Sequence, residues 1–339
     1  MAKHKAVVVG AGGISGSWFP PLMAEKVDVV GVVDLKKANA AARIKEYGID
    51  AVAFTDLKKA IKDTKPEFVI DLTIPDAHCN VTCTALAAGC HVIGEKPMAN
   101  SMAEARRMVR ASEKAGKMYM VSQSRRWETA HDSIQKTIAA GKLGSVTTAN
   151  CDFFLGAHFG GFRDAMPSPL ILDMSIHHFD LVRYMTGADP VAVYAKEFNP
   201  KGSWYKGDVA ANCIFEMSNG MMFAYRGSWC SEGCATSWHG DWRIIGDKGT
   251  LIYERDEAPR GEVVKGKVTG FGAPLKPLAC NKSNVKFGGM HGALREMLAF
   301  LRTGKKPQCE CHDNIKSLAM VFAAIESSNK GRRVPVRAL

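Results

Sequence analysis

Short apolar runs alternate with helical segments over the first 120 residues, and this alternation restricts the fold more than any other feature. The runs include AVVVG (6–10), FVIDLT (68–73) and HVIGE (91–95). Because each run is apolar throughout, we expect strands that are covered on both faces. Strand–helix–strand units connect by right-handed crossovers, so the sequence predicts a parallel, doubly wound sheet.

Beyond about residue 124 the pattern changes to alternating strands with few regular helices between them. Asn219-Gly220 lies between two apolar runs, which is a strong hairpin signal, and a second turn is predicted around Asp247–Gly249. Helices are expected at 291–303 and 312–328. This half therefore predicts a large open, mostly antiparallel sheet in an α/β domain.

A glycine loop follows the first strand directly, with the spacing Gly10-x-Gly12-x-x-Ser15. The first glycine allows a tight turn, the second lets the backbone approach a pyrophosphate, and Ser15 is small enough for close helix packing. The next helix begins there and directs free N–H groups at phosphate. The loop predicts dinucleotide binding by backbone groups of Gly10, Gly12, Gly13, Ile14 and Ser15.

Asp34 ends the second strand about twenty residues further on. A carboxylate at this position accepts hydrogen bonds from the ribose hydroxyls of the adenosine half, and it repels a 2′-phosphate. The cofactor is therefore predicted to be NAD. Lys36 and Lys37 follow closely and leave NADP possible. The first domain, residues 1–123, is predicted to be a Rossmann dinucleotide-binding domain.

Composition and charge exclude several other classes of protein. The net charge is +11, but lysine and arginine are dispersed along the chain, so we expect no nucleic-acid partner. No apolar run is long enough to span a membrane. The apolar run at 6–10 leads into a glycine loop instead of a cleavage site, so we expect a cytoplasmic protein without a signal peptide. The ten cysteines are scattered and predict free thiols; CECH (309–312) has no matching second pair, so no metal is expected.

Two further motifs lie at the carboxyl ends of strands, where open α/β sheets bind ligands. TIPDAH (73–78) supplies Thr73, Pro75 and His78, and GEKPMAN (94–100) supplies Glu95 and Lys96. All five are predicted to contact the cofactor. A lysine here can donate to a substrate hydroxyl or carbonyl oxygen and lower the pKa of the hydroxyl. Position alone leaves a solvated surface lysine equally open.

LILDMSIHHFDLV (170–182) carries two carboxylates and two histidines in one apolar segment. If 170–184 is one α-helix, Asp173 and His177 are four residues apart on one face, and Asp180 extends that face. His178 points elsewhere and is interpreted as structural. A neutral imidazole at His177 can take a hydroxyl proton while a carboxylate holds its ring. A metal site, and a merely structural role for His177 or Asp180, stay open.

Taken in order, the glycine loop, Asp34, TIPDAH, EKP (95–97) and the D-x-x-x-H-x-x-D pattern of 173–180 resemble the Gfo/Idh/MocA family of sugar and polyol dehydrogenases. SRRWETAHDSIQKTIAAGKLG (124–144) and WRIIGDKGTL (242–251) extend the resemblance over nearly the whole chain. The departures are SPLILD where the family often has G-G-x-L-x-D, and Ser175 where glycine is frequent. They leave the identity of the substrate open.

The resemblance implies a catalytic lysine at Lys96, with His177 as general base and Asp173 as its partner. It also implies a cis bond before Pro97 and a second domain, 124–339, that binds substrate and forms a homodimer or homotetramer through its sheet. The final helix of that domain is expected to pack back on the first. Beyond Lys96, Asp173 and His177, substrate contacts are expected from Arg126, His158 and Arg163.

The predicted function is NAD(P)-dependent oxidation of a secondary hydroxyl of a sugar, cyclitol or sugar derivative, or the reverse reduction. One alternative is a redox-neutral lyase or hydrolase that uses tightly bound NAD for transient oxidation. Another is a regulator that binds dinucleotide without turnover. The sequence does not define which sugar, which hydroxyl or which direction.

Overall fold

The computed structural model describes residues 4–268 and 271–339, which form two compact units. The first unit comprises the described residues up to Ser124, together with Phe287–Leu318 and Ala338–Leu339. The second comprises Arg125–Lys286 and Ala319–Arg337. The chain thus returns to the first unit after residue 286. The sequence predicted a boundary near residue 123, with the final helix packing back on the first domain.

The first unit contains a parallel sheet, as predicted. Among the described residues its strands lie in the order β3-β2-β1-β4-β5-β6, which is the order of a dinucleotide-binding doubly wound sheet. The strands are β1 (Lys5–Val9), β2 (Asp28–Val33), β3 (Val52–Phe54), β4 (Phe68–Asp71), β5 (His91–Gly94) and β6 (Tyr119–Val121). Strand β4 is buried along its whole length, which explains its uninterrupted apolar sequence.

Helices on the two sides of this sheet begin and end at capping residues that are visible in the sequence. Ser101 accepts from the N–H of Glu104, and Gly116 ends the same helix in the left-handed conformation. In the helix that follows β4, Pro75 occupies the first helical position and Ile74 precedes it. The helices are α1 (Ser15–Ala24), α2 (Lys37–Tyr47), α3 (Leu57–Thr64), α4 (Pro75–Ala87) and α5 (Met102–Ala115).

The second unit contains the open, mostly antiparallel sheet that the sequence predicted. Its described strands follow the order β14-β13-β12-β11-β7-β10-β9-β8-β15, in which only the described pair β10 and β7 is parallel. The hairpin at Asn219-Gly220 joins β9 to β10, and the turn at Asp247–Gly249 joins β11 to β12. The strands are β7 (Val146–Phe154), β8 (Pro190–Phe198), β9 (Ala210–Met217), β10 (Met222–Ser228), β11 (Asp241–Gly246), β12 (Gly249–Tyr253), β13 (Arg260–Val264), β14 (Leu275–Pro277) and β15 (Val334–Pro335).

Residues alternate between buried and exposed along the central strands of this sheet, so one face carries the core. On β9, for example, Cys213 and Phe215 are buried while Ile214 is half exposed. The remaining helices are α6 (Thr129–Ala139), α7 (Phe162–Ala165), α8 (Ile176–Thr186), α9 (Gly289–Thr303) and α10 (Cys311–Lys330). A 3₁₀ turn spans Ser124–Trp127.

The assumption of one α-helix over 170–184 does not hold in its first half. Leu170–Ser175 forms a π-helical turn, and the α-helix α8 begins only at Ile176. The turn packs against β9 and β10 and buries Leu170, Ile171 and Met174, while Asp173 stays partly exposed. The wider π-helical turn lets the apolar side chains pack on the sheet while the Asp173 carboxylate pairs with Arg163. The four-residue spacing of Asp173 and His177 therefore does not place them on an α-helical face as predicted.

Candidate active site

The glycine loop between β1 and α1 has the geometry that a bound pyrophosphate requires. Gly10 has φ +97°, and a Cβ there would lie 2.6 Å from the carbonyl oxygen of Leu72. A Cβ on Gly12 or Gly13 would meet no described atom within 4 Å, so the loop leaves open space beside its backbone. Ser15 is buried, and its hydroxyl donates to the carbonyl oxygen of Gly12 at 2.6 Å. These residues fit a dinucleotide phosphate at the start of α1.

The carboxylate of Asp34 is fixed at the end of β2. It accepts from the N–H of Ala11 at 3.0 Å, the N–H of Lys36 at 2.9 Å and the amide of Asn39 at 3.1 Å. The bond from Ala11 connects it to the glycine loop, so ribose and pyrophosphate contacts would be positioned together.

Arg43 is a loop contact that the sequence reasoning missed. From α2 its guanidinium donates to the carbonyl oxygen of Gly12 at 3.1 Å and pairs with Glu46 at 2.7 Å. It adds a positive charge beside the phosphate-binding loop. No short motif marks it, because its contact lies 31 residues away in the sequence.

Lys96 follows β5 and is half buried, and the Lys96–Pro97 bond is cis, as the resemblance implied. The neighbouring Glu95 is buried and accepts from the indole of Trp18 at 2.8 Å and from the N–H of Lys96 at 3.1 Å. Burial raises the pKa of the Glu95 carboxyl. These bonds favour a positioning role for Glu95, which holds the backbone of Lys96, over the predicted cofactor contact.

Thr73 and His78 of the TIPDAH motif form hydrogen bonds within the protein, although the sequence predicted that they contact the cofactor. The hydroxyl of Thr73 donates to Asp71 at 2.6 Å. His78 is buried, and its ring nitrogens lie 2.9 Å from the carbonyl oxygen of Pro97 and 3.0 Å from that of Thr73. His78 therefore bridges the ends of two strands, which favours a structural role over the predicted cofactor contact. Pro75 begins α4.

Asp173 and His177 lie in the second unit, Asp173 in the π-helical turn and His177 in the first turn of α8. Arg163 pairs with Asp173 through an Nε–Oδ2 distance of 2.6 Å. The Arg163 guanidinium also lies 5.0 Å and 4.8 Å from the ring centres of Phe159 and Phe162. The predicted substrate contact Arg163 is thus next to the candidate catalytic carboxylate, held by charge and by ring stacking.

His178 is structural in its contacts, as interpreted from the sequence. It is fully buried, packs against the rings of Phe153 and Tyr225, and its Nε2 lies 3.2 Å from Nη1 of Arg125. Burial lowers the pKa of His178 well below its usual value and that of Arg125 to about 10. These contacts fix α8, and with it the orientation of the adjacent His177.

Arg126 and Asp180 form a buried ion pair, with N–O distances of 2.7 and 2.6 Å. Arg126 is 4% exposed and Asp180 2%. With two hydrogen bonds to a buried carboxylate, the Arg126 guanidinium already has its partner within the second unit. This position disfavours the predicted substrate contact of Arg126 and makes Asp180 its structural partner, so Asp180 does not extend a catalytic face.

His158 lies on the surface of the second unit. Its ring stacks on Trp204 with centroids 3.7 Å apart, and its Nε2 lies 2.7 Å from Glu232. It remains accessible to a ligand, as a substrate contact requires, because its side chain is 62% exposed.

The CECH segment brings ligand atoms of Glu310, Cys311 and His312 within 4.8 Å of one another. However, Glu310 also pairs with Lys306 at 2.8 Å, and His312 with Glu113 at 2.9 Å. Burial raises the pKa of Cys311 to about 12, so its thiol holds its proton. These contacts describe an ion-pair network at the start of α10. The expectation that no metal is bound there stays a prediction.

Two family models match this chain. Residues 4–123 match the oxidoreductase family with an NAD-binding Rossmann fold, and residues 131–252 match the GFO/IDH/MocA C-terminal domain. The chain belongs to the Gfo/Idh/MocA oxidoreductase family. Its first unit is therefore an NAD-binding domain, in agreement with the cofactor predicted from Asp34.

Relatives within this family match over almost the whole chain. A 1,5-anhydro-D-fructose reductase of Ensifer adhaerens is 29% identical and covers 97% of each chain. A D-apiose dehydrogenase of Paraburkholderia graminis is 23% identical over 99% of this chain and 91% of that protein. The crystal structure of an oxidoreductase from Agrobacterium radiobacter, in complex with NAD⁺, L-tartaric acid and magnesium, has a TM-score of 0.86 at 20% identity and covers 99% of both chains. That structural similarity shows a shared fold. None of the described helices is long and apolar enough to cross a membrane.

Proposed function

We propose that this protein is an NAD-dependent dehydrogenase that oxidises a secondary hydroxyl of a sugar, cyclitol or sugar derivative, or reduces the corresponding ketone. The observation that carries the proposal is the position of Lys96 at the carboxyl end of β5 of an NAD-binding sheet, next to a buried Glu95 that accepts a hydrogen bond from its N–H. Ligands of such sheets bind at the carboxyl ends of the strands. Relatives named as dehydrogenases and reductases of sugars support the same substrate class.

In the proposed reaction, Lys96 donates a hydrogen bond to the reacting oxygen and stabilises its negative charge as the proton leaves. His177 takes that proton as general base. Asp173 stabilises the resulting positive charge, and Arg163 holds the Asp173 carboxylate in place through their 2.6 Å contact. Bound NAD supplies the hydride acceptor, which is the cofactor's own chemistry.

The glycine loop, Asp34 and Arg43 would hold the cofactor. The loop offers backbone N–H groups to the pyrophosphate, and Asp34 accepts from the ribose hydroxyls. A 2′-phosphate would meet the Asp34 carboxylate, which favours NAD, whereas Lys36 and Lys37 keep NADP as the second candidate. Thermal-shift titration with both dinucleotides distinguishes them without a substrate, since the tighter ligand raises Tm more at equal concentration.

The experiment that tests the function is a screen of sugars and cyclitols with NAD and with NADP, followed by the absorbance of the reduced nicotinamide. Steady reduction with one substrate class supports the dehydrogenase. Purification with retained cofactor, turnover of a glycoside and no accumulation of reduced nicotinamide would instead support the redox-neutral lyase or hydrolase. Dinucleotide binding with no turnover or isotope exchange on any panel member would support the regulator.

A further inference from the structure

The loop between β7 and the π-helical turn carries exposed aromatic rings beside Asp173. Phe159 is 43% exposed and Phe162 60% exposed, and Trp238, 46% exposed, lies 6.1 Å from Phe159 between ring centres. We call Phe159, Phe162 and Trp238 the aromatic platform. Apolar side chains exposed together in one patch mark interaction or ligand-binding sites on protein surfaces.

The aromatic platform is anchored within the second unit. Phe159 packs edge-on against Trp229, which is buried, with ring centres 5.0 Å apart. The indole N–H of Trp229 has no hydrogen-bond partner within residues 4–268 and 271–339. Trp238 also packs against Phe153 of the core at 6.2 Å. Phe159 and Trp238 are thus supported by buried aromatic rings, while nearly half of each side chain stays exposed to solvent.

The backbone of the loop is fixed at both ends and tightly turned in the middle. The N–H of Ala157 donates to the carbonyl oxygen of Trp229 at 3.0 Å, and the N–H of Lys206 donates to that of Asp164 at 2.8 Å. Between these bonds, Gly160 and Gly161 have φ of +68° and +67°, a conformation that side chains disfavour. This turn brings Phe159 and Phe162 to the same Arg163 guanidinium.

Charge indicates what kind of molecule the aromatic platform fits. Arg163, the cation that packs on these rings, is already paired with Asp173. His158, at the start of the loop, is paired with Glu232. A phosphate or carboxylate ligand would therefore approach the carboxylates of Asp173 and Glu232. The positive charge of Arg163 is already neutralised by Asp173. A neutral ligand with flat C–H faces and a rim of hydroxyls matches both the rings and the polar groups.

We propose that the aromatic platform is a subsite for a second, neutral sugar ring, so that the preferred substrate is a disaccharide or a glycoside with a sugar aglycone. This rests on the proposed function, because the reacting ring is taken to be at Asp173. Arg163 joins the two positions: it contacts the Asp173 carboxylate on one side and two platform rings on the other. A free monosaccharide at Asp173 would leave the platform rings exposed.

The test compares disaccharides with one-ring substrates on the NAD-bound protein. Cellobiose, maltose and lactose are assayed against methyl glucosides, methyl galactosides and the free monosaccharides, so that a blocked anomeric carbon is separated from a second ring. For the best disaccharide we expect kcat/KM to exceed that of its methyl glycoside about tenfold. Phe162→Ala should lower kcat/KM for the disaccharide by about three- to tenfold more than for the methyl glycoside, as expected for one lost stacking ring. Phe162→Tyr should restore it.

Phe271→Ala is the matched control, because Phe271 is a fully exposed phenylalanine of the same unit outside the aromatic platform. This variant should leave kcat/KM unchanged for both the disaccharide and the methyl glycoside. Equal kcat/KM for disaccharide and methyl glycoside, or an equal loss for both in Phe162→Ala, would overturn the subsite while leaving the dehydrogenase intact.

Calorimetric titration separates failure of the subsite from failure of the proposed function. If no sugar is oxidised, but a disaccharide binds and Phe162→Ala weakens that binding three- to tenfold, the subsite stands and the dehydrogenase fails. If no neutral disaccharide binds more tightly than its methyl glycoside, the subsite is refuted whatever the enzyme activity.

Discussion

The glycine loop of the first unit and the segment 170–186 of the second unit are positioned in different ways. The loop is built from local backbone geometry: a strand end, a glycine at φ +97° and a helix that begins at Ser15. The segment instead depends on distant side chains, since Arg163 holds Asp173 and Arg126 holds Asp180. Binding by backbone tolerates change in the surrounding side chains, whereas binding by side chains requires each distant partner. Single substitutions should therefore affect catalysis and stability mainly where side chains, and not backbone groups, make the contacts.

The largest effect is expected at the one side chain of the first unit to which we assign chemistry. Lys96→Met should lower kcat by about 10⁴-fold, because both the hydrogen bond to the reacting oxygen and the positive charge are lost. NAD affinity should change by less than about twofold, since backbone groups hold the cofactor. Steady-state kinetics and a dinucleotide titration measure the two quantities.

Lys58→Met is the control for Lys96, because Lys58 is an exposed lysine of α3. Its kinetics should equal those of the unmodified protein. Near-normal turnover of Lys96→Met on the true substrate would remove Lys96 from the mechanism.

The adjacent histidines 177 and 178 provide the second comparison. His177→Gln should lower kcat by about 10³-fold with little change in Tm, because it removes the general base. His178→Gln should instead lower the free energy of unfolding by about 2 kcal/mol, because it disturbs a fully buried ring beside Arg125 and Tyr225. Turnover and thermal unfolding of both variants test this division. A His178 variant that unfolds normally but loses turnover would reverse the assignment.

The buried ion pair of the second unit should be far more costly to break than an exposed one. Asp180→Asn is expected to lower the free energy of unfolding by about 3–4 kcal/mol, because it leaves the Arg126 charge buried without its carboxylate. Glu326→Gln breaks the half-exposed pair with Lys330 and should cost less than about 0.5 kcal/mol. Denaturant unfolding measures both. Equal costs would mean that the buried pair does not hold α8.

A smaller, pH-dependent effect is expected at Glu197 of β8, which is buried and accepts from Ser168, two residues before the π-helical turn. The pKa of Glu197 is raised to about 7, chiefly by burial and also by the charge of Asp208, while the Ser168 bond and Lys196 oppose the rise. Between its ordinary value of 4.5 and about 7 the folded chain binds more protons than the unfolded chain. The free energy of unfolding should therefore fall as pH rises through this window and level off above it.

Glu197→Gln removes this titration and keeps a group that can bond to Ser168. As the pH rises from 5 to 8, the free energy of unfolding of the variant should increase by about 2 kcal/mol relative to that of the unmodified protein. Denaturant unfolding at several pH values measures this difference. Parallel profiles for the two proteins would show that Glu197 is not protonated in the fold.

Much of the fold was predictable because it follows from periodicity and local capping. The parallel sheet, the hairpin at Asn219-Gly220 and the helix that starts after Ser101 each have a short-range sequence cause. The π-helical turn at Leu170–Ser175 was not predictable in this way, because its cause is the packing of Leu170 and Ile171 on a distant sheet.

The candidate site also combines parts that a local sequence pattern predicts with parts that only tertiary contacts reveal. The glycine loop and Asp34 follow β1 and β2, where the strand pattern predicted them, whereas the contacts that occupy Arg126 and His78 are tertiary and leave no local sequence signal. Arg43 carries no motif at all, since a single arginine becomes meaningful only where the fold brings it to the glycine loop. The catalytic roles of Lys96, Asp173 and His177 stay predictions.

The central claim is that a hydride leaves a carbinol carbon of a sugar for NAD with help from Lys96 and His177. The most direct test is deuterium transfer from carbon-deuterated sugars and cyclitols, read by mass spectrometry of the nicotinamide. We predict label in the reduced cofactor for at least one neutral substrate, and loss of that label in Lys96→Met and His177→Gln. No label with any panel member, or undiminished label in both variants, would contradict the account.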